Sequence, residues 1–194
     1  MLLDHLQNKL DAIAAQDQTR VLRAAESPTS PHQKVRGPDG LGRERLMFCA
    51  NDYLGLADHP RIAQALTAGA EIWAGGSGAS HLISGHTLAH ERLENRLADW
   101  FAPHIPKVRV LGFSTGYMAN LAVTTTLGDA DAEFFSDELN HASLIDGMRL
   151  AKAPVQRFAH TDMAALRELL VASAAKIKLI VSDTVFSMDG DLGQ

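Results

Sequence analysis

From residue 108 onward, short apolar segments alternate with longer segments whose apolar residues recur at helical spacing. This pattern predicts strands over 108–111, 133–136, 155–158 and 177–182, and helices over 115–126, 142–151 and 162–173. Strands that alternate with single helices pair in parallel, because a crossover through the helix returns the chain to the same edge of the sheet. The sequence therefore predicts an α/β fold with a mostly parallel sheet flanked by helices.

The first part of the chain has a different pattern. Helical spacing predicts a helix over 2–25, and Ser-Pro and Gly-Pro-Asp-Gly sequences predict loops and turns over 27–42. A strand is expected over 46–50, and helices over 60–73 and 87–101 are expected on either side of a glycine-rich loop, 75–85. We therefore expect an N-terminal helical arm and linker over 1–45, followed by a main domain over 46–194.

Composition narrows the class of partner. The net charge is -5 and no basic segment is present, which argues against nucleic acid or an anionic membrane as a partner. No stretch approaches the roughly 20 apolar residues that cross a bilayer. The single cysteine, Cys49, excludes an intramolecular disulfide, and its apolar neighbours predict a buried thiol in a strand. These features favour a cytoplasmic enzyme.

Three histidines raise the question of a metal site. His86 and His90 would share one face of a helix, and His81 precedes them closely. A metalloprotease helix carries glutamate directly after its first histidine, whereas this chain has Thr87 there. We therefore expect no metal centre.

Residues 112–120, Gly-Phe-Ser-Thr-Gly-Tyr-Met-Ala-Asn, join an expected strand to an expected helix. N–H groups at a helix N-terminus attract anions, and Gly116 with the hydroxyls of Ser114 and Thr115 would suit a phosphate. A simple helix cap is the alternative, since serine and threonine commonly cap helices. The segment has neither the G-x-G-x-x-G spacing nor the lysine of a Walker loop, which argues against nucleotide binding.

Two further segments follow expected strands. His141 lies in 137–147, at a helix start, where an imidazole can stack on an aromatic cofactor, hold a carboxylate or transfer a proton. Ser187 and Asp183 lie in 182–191. A structural histidine, a turn serine and a local cap are the respective alternatives. Because loops after parallel strands meet at one edge of a sheet, we expect the three segments to form one site.

Together these segments resemble the α-oxoamine synthases, a family that depends on pyridoxal phosphate. The resemblance also includes Asn-Asp-Tyr-Leu-Gly-Leu at 51–56 and the glycine-rich loop, and it extends over nearly the whole chain. It implies an aminotransferase-like fold of type I and a homodimer with sites at the subunit interface. Residues 46–194 would then be part of the cofactor-binding large domain, without its C-terminal part and without the small domain.

The resemblance also implies roles for single residues. Gly116 and Tyr117 would contact the cofactor phosphate region, and Ser187 would bind the cofactor. His141 would stack on the pyridine ring and serve in catalysis and in substrate binding. Arg20 matches the arm arginine that meets the acyl substrate, with a solvated helix residue as the alternative.

The implied reaction is a decarboxylative condensation of L-alanine with a pimeloyl thioester of CoA or acyl carrier protein, in biotin biosynthesis. The alternatives are 5-aminolevulinate synthase, 2-amino-3-ketobutyrate ligase, serine palmitoyltransferase, or a non-catalytic subunit that lacks the lysine. In this family a lysine anchors the cofactor and an aspartate pairs with its pyridinium nitrogen, and both would lie beyond Gln194. We therefore expect residues 1–194 to be the N-terminal portion of an enzyme and to be inactive alone.

Overall fold

A computed structural model describes all residues from Met1 to Gln194 and divides them into two compact units, Met1–Ala89 and His90–Gln194. None of the helices combines the length and the apolar composition needed to cross a lipid bilayer. The division into an arm over 1–45 and a cofactor domain over 46–194 stays a prediction.

The first unit begins with helix α1, Leu2–Ala15, which is shorter than the helix predicted over 2–25. Asp17 has a φ of 54°, and a residue in this left-handed region ends a helix. The amide of Gln18 then bonds back to the carbonyl of Ile13 at 3.1 Å, which closes the last turn. Helical spacing beyond Asp17 was therefore misleading.

An antiparallel hairpin follows, formed by β1, His32–Arg36, and β2, Gly42–Leu46. The prediction of loops only over 27–42 was wrong, since Gly37 donates its amide to the carbonyl of Leu41 at 2.9 Å and so closes a turn between two strands. The strand predicted over 46–50 is found four residues earlier, as β2, which ends at Leu46. Cys49 consequently lies after the hairpin and is exposed, so the prediction of a buried thiol was wrong.

Helix α2, Pro60–Trp73, has the predicted bounds. Pro60 occupies the first turn, where its missing N–H costs nothing, and the His59 side chain accepts from the amide of Arg61 at 3.2 Å. The glycine-rich loop follows and ends in a single π-helical turn, His81–Gly85.

The second unit contains most of α3, Leu88–Phe101, followed by a series of helices and strands close to those predicted. The bounds are α4 Gly116–Leu127, β3 Ala132–Asp137, α5 Ala142–Ala151, β4 Val155–Phe158, α6 Met163–Ala172 and β5 Ile177–Val181. The strand predicted over 108–111 is absent, because no strand of the structure pairs with it. The amide of Gly112, just beyond it, bonds to the side chain of Glu94 at 2.8 Å.

The sheet of this unit has three parallel strands in the order β4-β3-β5. Adjacent residues of the central strand β3 point to opposite faces of the sheet. Phe134 packs with Met148 of α5 on one face, and Phe135 packs with Leu166 of α6 on the other. Burying each ring contributes about 1.5–3 kcal/mol, so β3 anchors both layers.

Helices α4 and α5 approach closely on one face of the sheet. A methyl group at Gly147 of α5 would lie 2.1 Å from Oγ1 of Thr124 in α4, so only glycine fits without a shift. This contact sets the spacing between the two helices whose N-termini border the candidate site.

Candidate functional site

A cleft of about 370 Å³ opens in the second unit, where the chain leaves β3 and β5 and where α4 and α5 begin. Loops after parallel strands gather at one edge of the sheet, and such edges are the usual ligand sites of α/β folds. The cleft is lined by Gly116, Tyr117, Asn120, His141, Ser143, Asp183, Val185 and Ser187.

The N-terminus of α4 forms one wall. Thr115 is its cap, since its Oγ1 accepts from the amide of Met118 at 3.1 Å. A methyl group at Gly116 would meet no atom within 4 Å, so packing does not require glycine there. The missing side chain leaves main-chain N–H groups open to the cleft at the positive end of a helix dipole, which suits an anion.

Tyr117, in the same turn, donates its hydroxyl to a carboxylate oxygen of Asp146 in α5. This hydrogen bond is the main reason why the pKa of the Tyr117 phenol is raised above its ordinary value, and partial desolvation adds a smaller effect. Tyr117 is therefore a neutral hydrogen-bond donor at neutral pH, and it ties α4 to α5 at the cleft.

His141 is the cap of α5. Its Nδ1 accepts from the amide of Ser143 at 3.1 Å and lies 2.7 Å from the hydroxyl of Ser143. That hydroxyl accepts from the side-chain amide of Asn120 at 2.9 Å, so its own proton is free to be donated to Nδ1. The network therefore assigns the imidazole proton to Nε2, the nitrogen that the cap leaves available to a ligand.

Asn140, just before this cap, ties the two strand ends together. Its side-chain amide donates to the hydroxyl of Ser136 at 3.0 Å and to the carbonyl of Val181 at 2.7 Å. Its carbonyl oxygen accepts from the amide of Asp183 at 3.1 Å. Because Asn140 is only 5% exposed, these bonds fix the exits of β3 and β5 relative to each other.

A tight hairpin over 185–192 carries Ser187. Val185 and Leu192 form an antiparallel bridge, and the amide of Phe186 donates to the carbonyl of Asp191 at 2.9 Å. Phe186 is 2% exposed, whereas its neighbours Val185 and Ser187 line the cleft. Alternation along the chain explains this arrangement, since burying Phe186 turns the residues on either side outward.

Behind the hairpin, His160 lies between Asp137 and Asp191. Hydrogen bonds to Asp191 and then to Asp137 raise the pKa of His160 above its ordinary 6.5. For the Asp137 carboxyl, burial is the largest single effect and raises the pKa. The hydrogen bonds from the amides of Thr161 and Leu139 and the contact with His160 together outweigh burial, so the pKa of Asp137 is lowered. This cluster was not predicted, since no local sequence pattern signals partners 23 and 31 residues apart.

The structure brings four of the five predicted site residues together: Gly116, Tyr117, His141 and Ser187 all line the cleft. Arg20 belongs to the other unit, where it is exposed just beyond the end of α1. The weaker candidate, Asp183, also lines the cleft. Asn120, Ser143 and Val185 also line the cleft but were not among the predicted site residues, although they lie within the segments 112–120, 137–147 and 182–191. Their roles toward a ligand stay proposals.

Comparison with known proteins supports the resemblance noted in the sequence. The family model for aminotransferase class I and II matches residues 43–193. The 8-amino-7-oxononanoate synthase of Leptothrix cholodnii is 56% identical over 198 residues, which cover 100% of this chain and 48% of that protein. The same enzyme of Cupriavidus metallidurans is 57% identical over 192 residues, which cover 99% and 47%. The chain thus spans about half the length of the curated relatives it matches.

Solved structures show the same fold. Serine palmitoyltransferase of Sphingomonas wittichii superposes with a TM-score of 0.81 at 26% identity, over 98% of this chain and 46% of that one. The S. paucimobilis enzyme with a bound PLP–myriocin aldimine gives 0.80 at 26% identity, over 98% and 48%. The 8-amino-7-oxononanoate synthase of Francisella tularensis gives 0.59 at 28% identity, over 75% and 38%. The predicted α/β fold of type I is confirmed, and the chain belongs to the aminotransferase class I and II family.

Proposed function

We propose that this chain is part of a pyridoxal-phosphate-dependent acyltransferase that forms 8-amino-7-oxononanoate. The enzyme would condense L-alanine with a pimeloyl thioester of CoA or acyl carrier protein and release carbon dioxide, in biotin biosynthesis. The observation that carries this proposal is the single cleft that gathers Gly116, Tyr117, His141 and Ser187. Relatives that are 56–57% identical and bear this enzyme's name support the choice of reaction.

The cleft fits pyridoxal phosphate in the chemistry of its donors. The open N–H groups at Gly116 suit the phosphate, and the phenol of Tyr117 adds a neutral donor beside them. The imidazole of His141 offers an aromatic surface, and Ser187 offers a hydroxyl from the facing hairpin. When bound, the cofactor supplies an electron sink for the electrons left as the amino acid loses its α-proton.

The residues of this chain would bind and orient. The cap that holds Nδ1 of His141 fixes the ring against the start of α5, and it leaves Nε2–H to hold the carboxylate of the amino acid. The carboxylate of Asp183 accepts a hydrogen bond from the main-chain amide of His141 and so fixes the position of the His141 ring from the other side of the cleft. Orienting the reactants in this way lowers the entropy cost of the condensation.

Arg20 would contact the acyl substrate in the complete enzyme. Arg20 is exposed and lines a pocket together with residues of α1, including Gln7 and Asp11, and with Asp17 in the turn after the helix. We also propose that the complete enzyme is a homodimer and is located in the cytoplasm. In the complete protein, replacing Arg20 with Gln should raise KM for the pimeloyl thioester and leave the affinity for pyridoxal phosphate unchanged.

The cofactor site is tested by Gly116→Ala in the complete protein. No atom opposes the new methyl group within the fold, so stability should not fall, yet the methyl enters the cleft. We expect the Kd for pyridoxal phosphate to rise about tenfold or more, which corresponds to about 1.4 kcal/mol. Absorbance titration measures the Kd, and urea denaturation measures stability. An unchanged Kd would reject a phosphate at the start of α4.

His141 is tested with a matched pair of variants. His141→Ala removes the ring and should weaken both cofactor absorbance and turnover, while His141→Phe retains an aromatic surface and should recover cofactor affinity in part. Turnover of His141→Ala with alanine and pimeloyl thioester equal to that of the unchanged protein would reject the stacking role.

A second α-oxoamine reaction is favoured by one observation, the higher TM-score of serine palmitoyltransferase structures. The sequence argues the other way, since the serine palmitoyltransferase of S. wittichii is 26% identical, whereas the 8-amino-7-oxononanoate synthases of L. cholodnii and C. metallidurans are 56% and 57% identical. Product analysis separates the two: the complete protein should convert alanine with a pimeloyl thioester in preference to serine with a palmitoyl thioester.

A further inference from the structure

His160 joins two carboxylates outside the cleft. Its Nδ1 lies 3.0 Å from Oδ1 of Asp137, and its Nε2 lies 2.6 Å from Oδ2 of Asp191. The side chain of Asp137 is 2% exposed and that of His160 is 19% exposed, so solvent ions screen this pair weakly, whereas the side chain of Asp191 is 43% exposed. None of the three residues lines the cleft, and the proposed reaction uses none of them.

The two carboxylates are held to different degrees. Asp137 also accepts from the amides of Leu139 at 2.9 Å and Thr161 at 3.0 Å, so it stays in place without His160. Asp191 has a buried Oδ1 with no hydrogen-bond partner, and its Oδ2 accepts from His160. The position of the Asp191 carboxylate therefore depends on His160, whereas that of the Asp137 carboxylate does not.

The hairpin over 185–192 has a second contact with the same ring. The ring of Phe186 meets His160 edge to face, with centroids 4.4 Å apart and an interplanar angle of 79°. Phe186 is buried between Val185 and Ser187, which face the cleft. Since Phe186 and Asp191 stand on the two sides of the hairpin, His160 contacts both of its strands.

We propose that His160 is a positioning residue: by bridging Asp137 to Asp191, it holds the hairpin over 185–192 so that Ser187 stays in the cleft. The inference rests on the proposed function for the role of Ser187 toward the cofactor. His160 itself touches neither the cofactor site nor the substrate. A neutral imidazole carries one N–H, so only the imidazolium form can donate to both carboxylates at once.

The bridge is therefore sensitive to pH through the groups that surround His160. Asp137 faces it from the end of β3 and Asp191 from the hairpin. The side-chain carboxylate of Glu138 accepts a hydrogen bond from the main-chain amide of His160 at 3.0 Å. The guanidinium of Arg157 in β4 donates to the main-chain carbonyl of Glu138 at 3.3 Å. Loss of the imidazole proton leaves one N–H for two carboxylates, so it removes one of the two bonds and breaks the bridge between Asp137 and Asp191.

Two variants separate the bridge from simple packing. The amide of His160→Asn stands near the place of Nδ1 and can reach Asp137 only. The amide of His160→Gln extends to the place of Nε2 and can still donate to Asp191. Both remove the ring that contacts Phe186, so they differ mainly in the bond to the hairpin. His104→Asn, at an exposed position in a turn, serves as the control.

The first measurement is hydrogen exchange in the complete protein without cofactor. The amides of Phe186 and Gly190 are hydrogen-bonded within the hairpin and report its opening. We expect exchange about tenfold faster than in the unchanged protein for His160→Asn and closer to it for His160→Gln, with the amide of Phe135 in β3 unaffected. Equal protection in all three proteins overturns the proposal. Equal loss in both variants also overturns it, because packing alone would then explain the effect.

The second measurement is the Kd for pyridoxal phosphate, which should rise in the same order. If the unchanged protein fails to bind the cofactor, the proposed function is rejected, and the exchange comparison still decides the positioning role. If His160→Asn does not fold, Asp191→Ala tests the bridge in its place, because it removes the carboxylate that contacts His160 and leaves His160 and Asp137 unchanged. Faster exchange confined to the hairpin supports the bridge in that variant, and unchanged protection overturns it.

Discussion

The main-chain N–H of His141 donates a hydrogen bond of 2.8 Å to the carboxylate of Asp183, 42 residues further along the chain. The bond joins the start of α5 to the segment that follows β5. It crosses the cleft and fixes the two loops that carry the proposed ring-stacking residue and the proposed serine ligand. The geometry of the site therefore depends on contacts between loops as well as on the sheet beneath them.

Removing this carboxylate should weaken the second unit. A hydrogen bond to a charged acceptor is stronger than a neutral one, and Asp183 is partly exposed, so we expect Asp183→Ala to cost about 1–2 kcal/mol. Urea denaturation followed by circular dichroism measures the change. Asp189→Ala, an exposed carboxylate in the hairpin turn, should change stability by less than about 0.5 kcal/mol. Equal effects of the two variants would contradict the assignment.

Asn140 should matter more, because it is buried and all its bonds are internal. Asn140→Ala leaves the carbonyl of Val181 and the amide of Asp183 without this partner, and we expect a cost of about 2–4 kcal/mol. The matched control is Asn95→Ala on the exposed face of α3, where alanine is the better helix former. A midpoint of urea unfolding for Asn140→Ala equal to that of the control would show that the strand exits are held by other contacts.

Two glycines in helix interiors should respond in opposite directions to alanine. Gly147→Ala places a methyl group 2.1 Å from Thr124, and overpacking of this kind costs about 1–3 kcal/mol. Gly69→Ala in α2 meets no atom within 4 Å and should add about 0.5–1 kcal/mol, because alanine loses less entropy in a helix. Thermal unfolding of both variants gives the sign. A stabilising Gly147→Ala would mean that α4 and α5 can separate without cost.

The cluster around His160 predicts how stability depends on pH. The pKa of His160 is raised on folding, so its contribution is complete below its ordinary 6.5 and is lost as pH rises through the folded value. The pKa of Asp137 is lowered, so its contribution is present above its ordinary 3.8 and is lost as pH falls through the folded value. The cluster should therefore stabilise most between about pH 4 and 6.5.

The measurement is the difference in urea midpoint between the unchanged protein and His160→Asn, taken from pH 4.5 to about 9. We expect this difference to shrink as pH rises, down to the part that reflects packing against Phe186. His104→Asn is measured in the same way as the control, and a constant difference for His160→Asn would show that folding does not raise the pKa of His160.

The second unit was largely predictable because its elements carry their own signals. The bounds of α5 and β4 agree with the prediction residue for residue, β5 differs by one residue at one end, and β3, α4 and α6 differ by one residue at each end. The adjacent Phe134 and Phe135 of β3 are buried on opposite faces of the sheet, and such an apolar pair is visible in the local sequence. The residues at strand ends were likewise visible as motifs. Four of the five predicted site residues meet in one cleft, because loops that follow parallel strands lie at the same edge of the sheet.

The failures share a physical cause. A strand exists only when another strand pairs with it, and nothing within 108–111 reveals that its partner is missing from this sheet. Nothing in the turn near Gly40 shows that the segments on either side pair as a hairpin. The end of α1 depends on one left-handed residue, Asp17, whose conformation helical spacing does not report.

The α/β class, the family and the loops that hold the candidate ligand contacts can be read from the sequence, because apolar periodicity and motif order are properties of neighbouring residues. The way in which those loops are fixed depends on tertiary contacts. The bonds of Asn140 to two strand ends, of Asp183 to His141, and of His160 to Asp137 and Asp191 join residues 4 to 43 positions apart. Such bonds form only after the parallel sheet has brought its strand ends together.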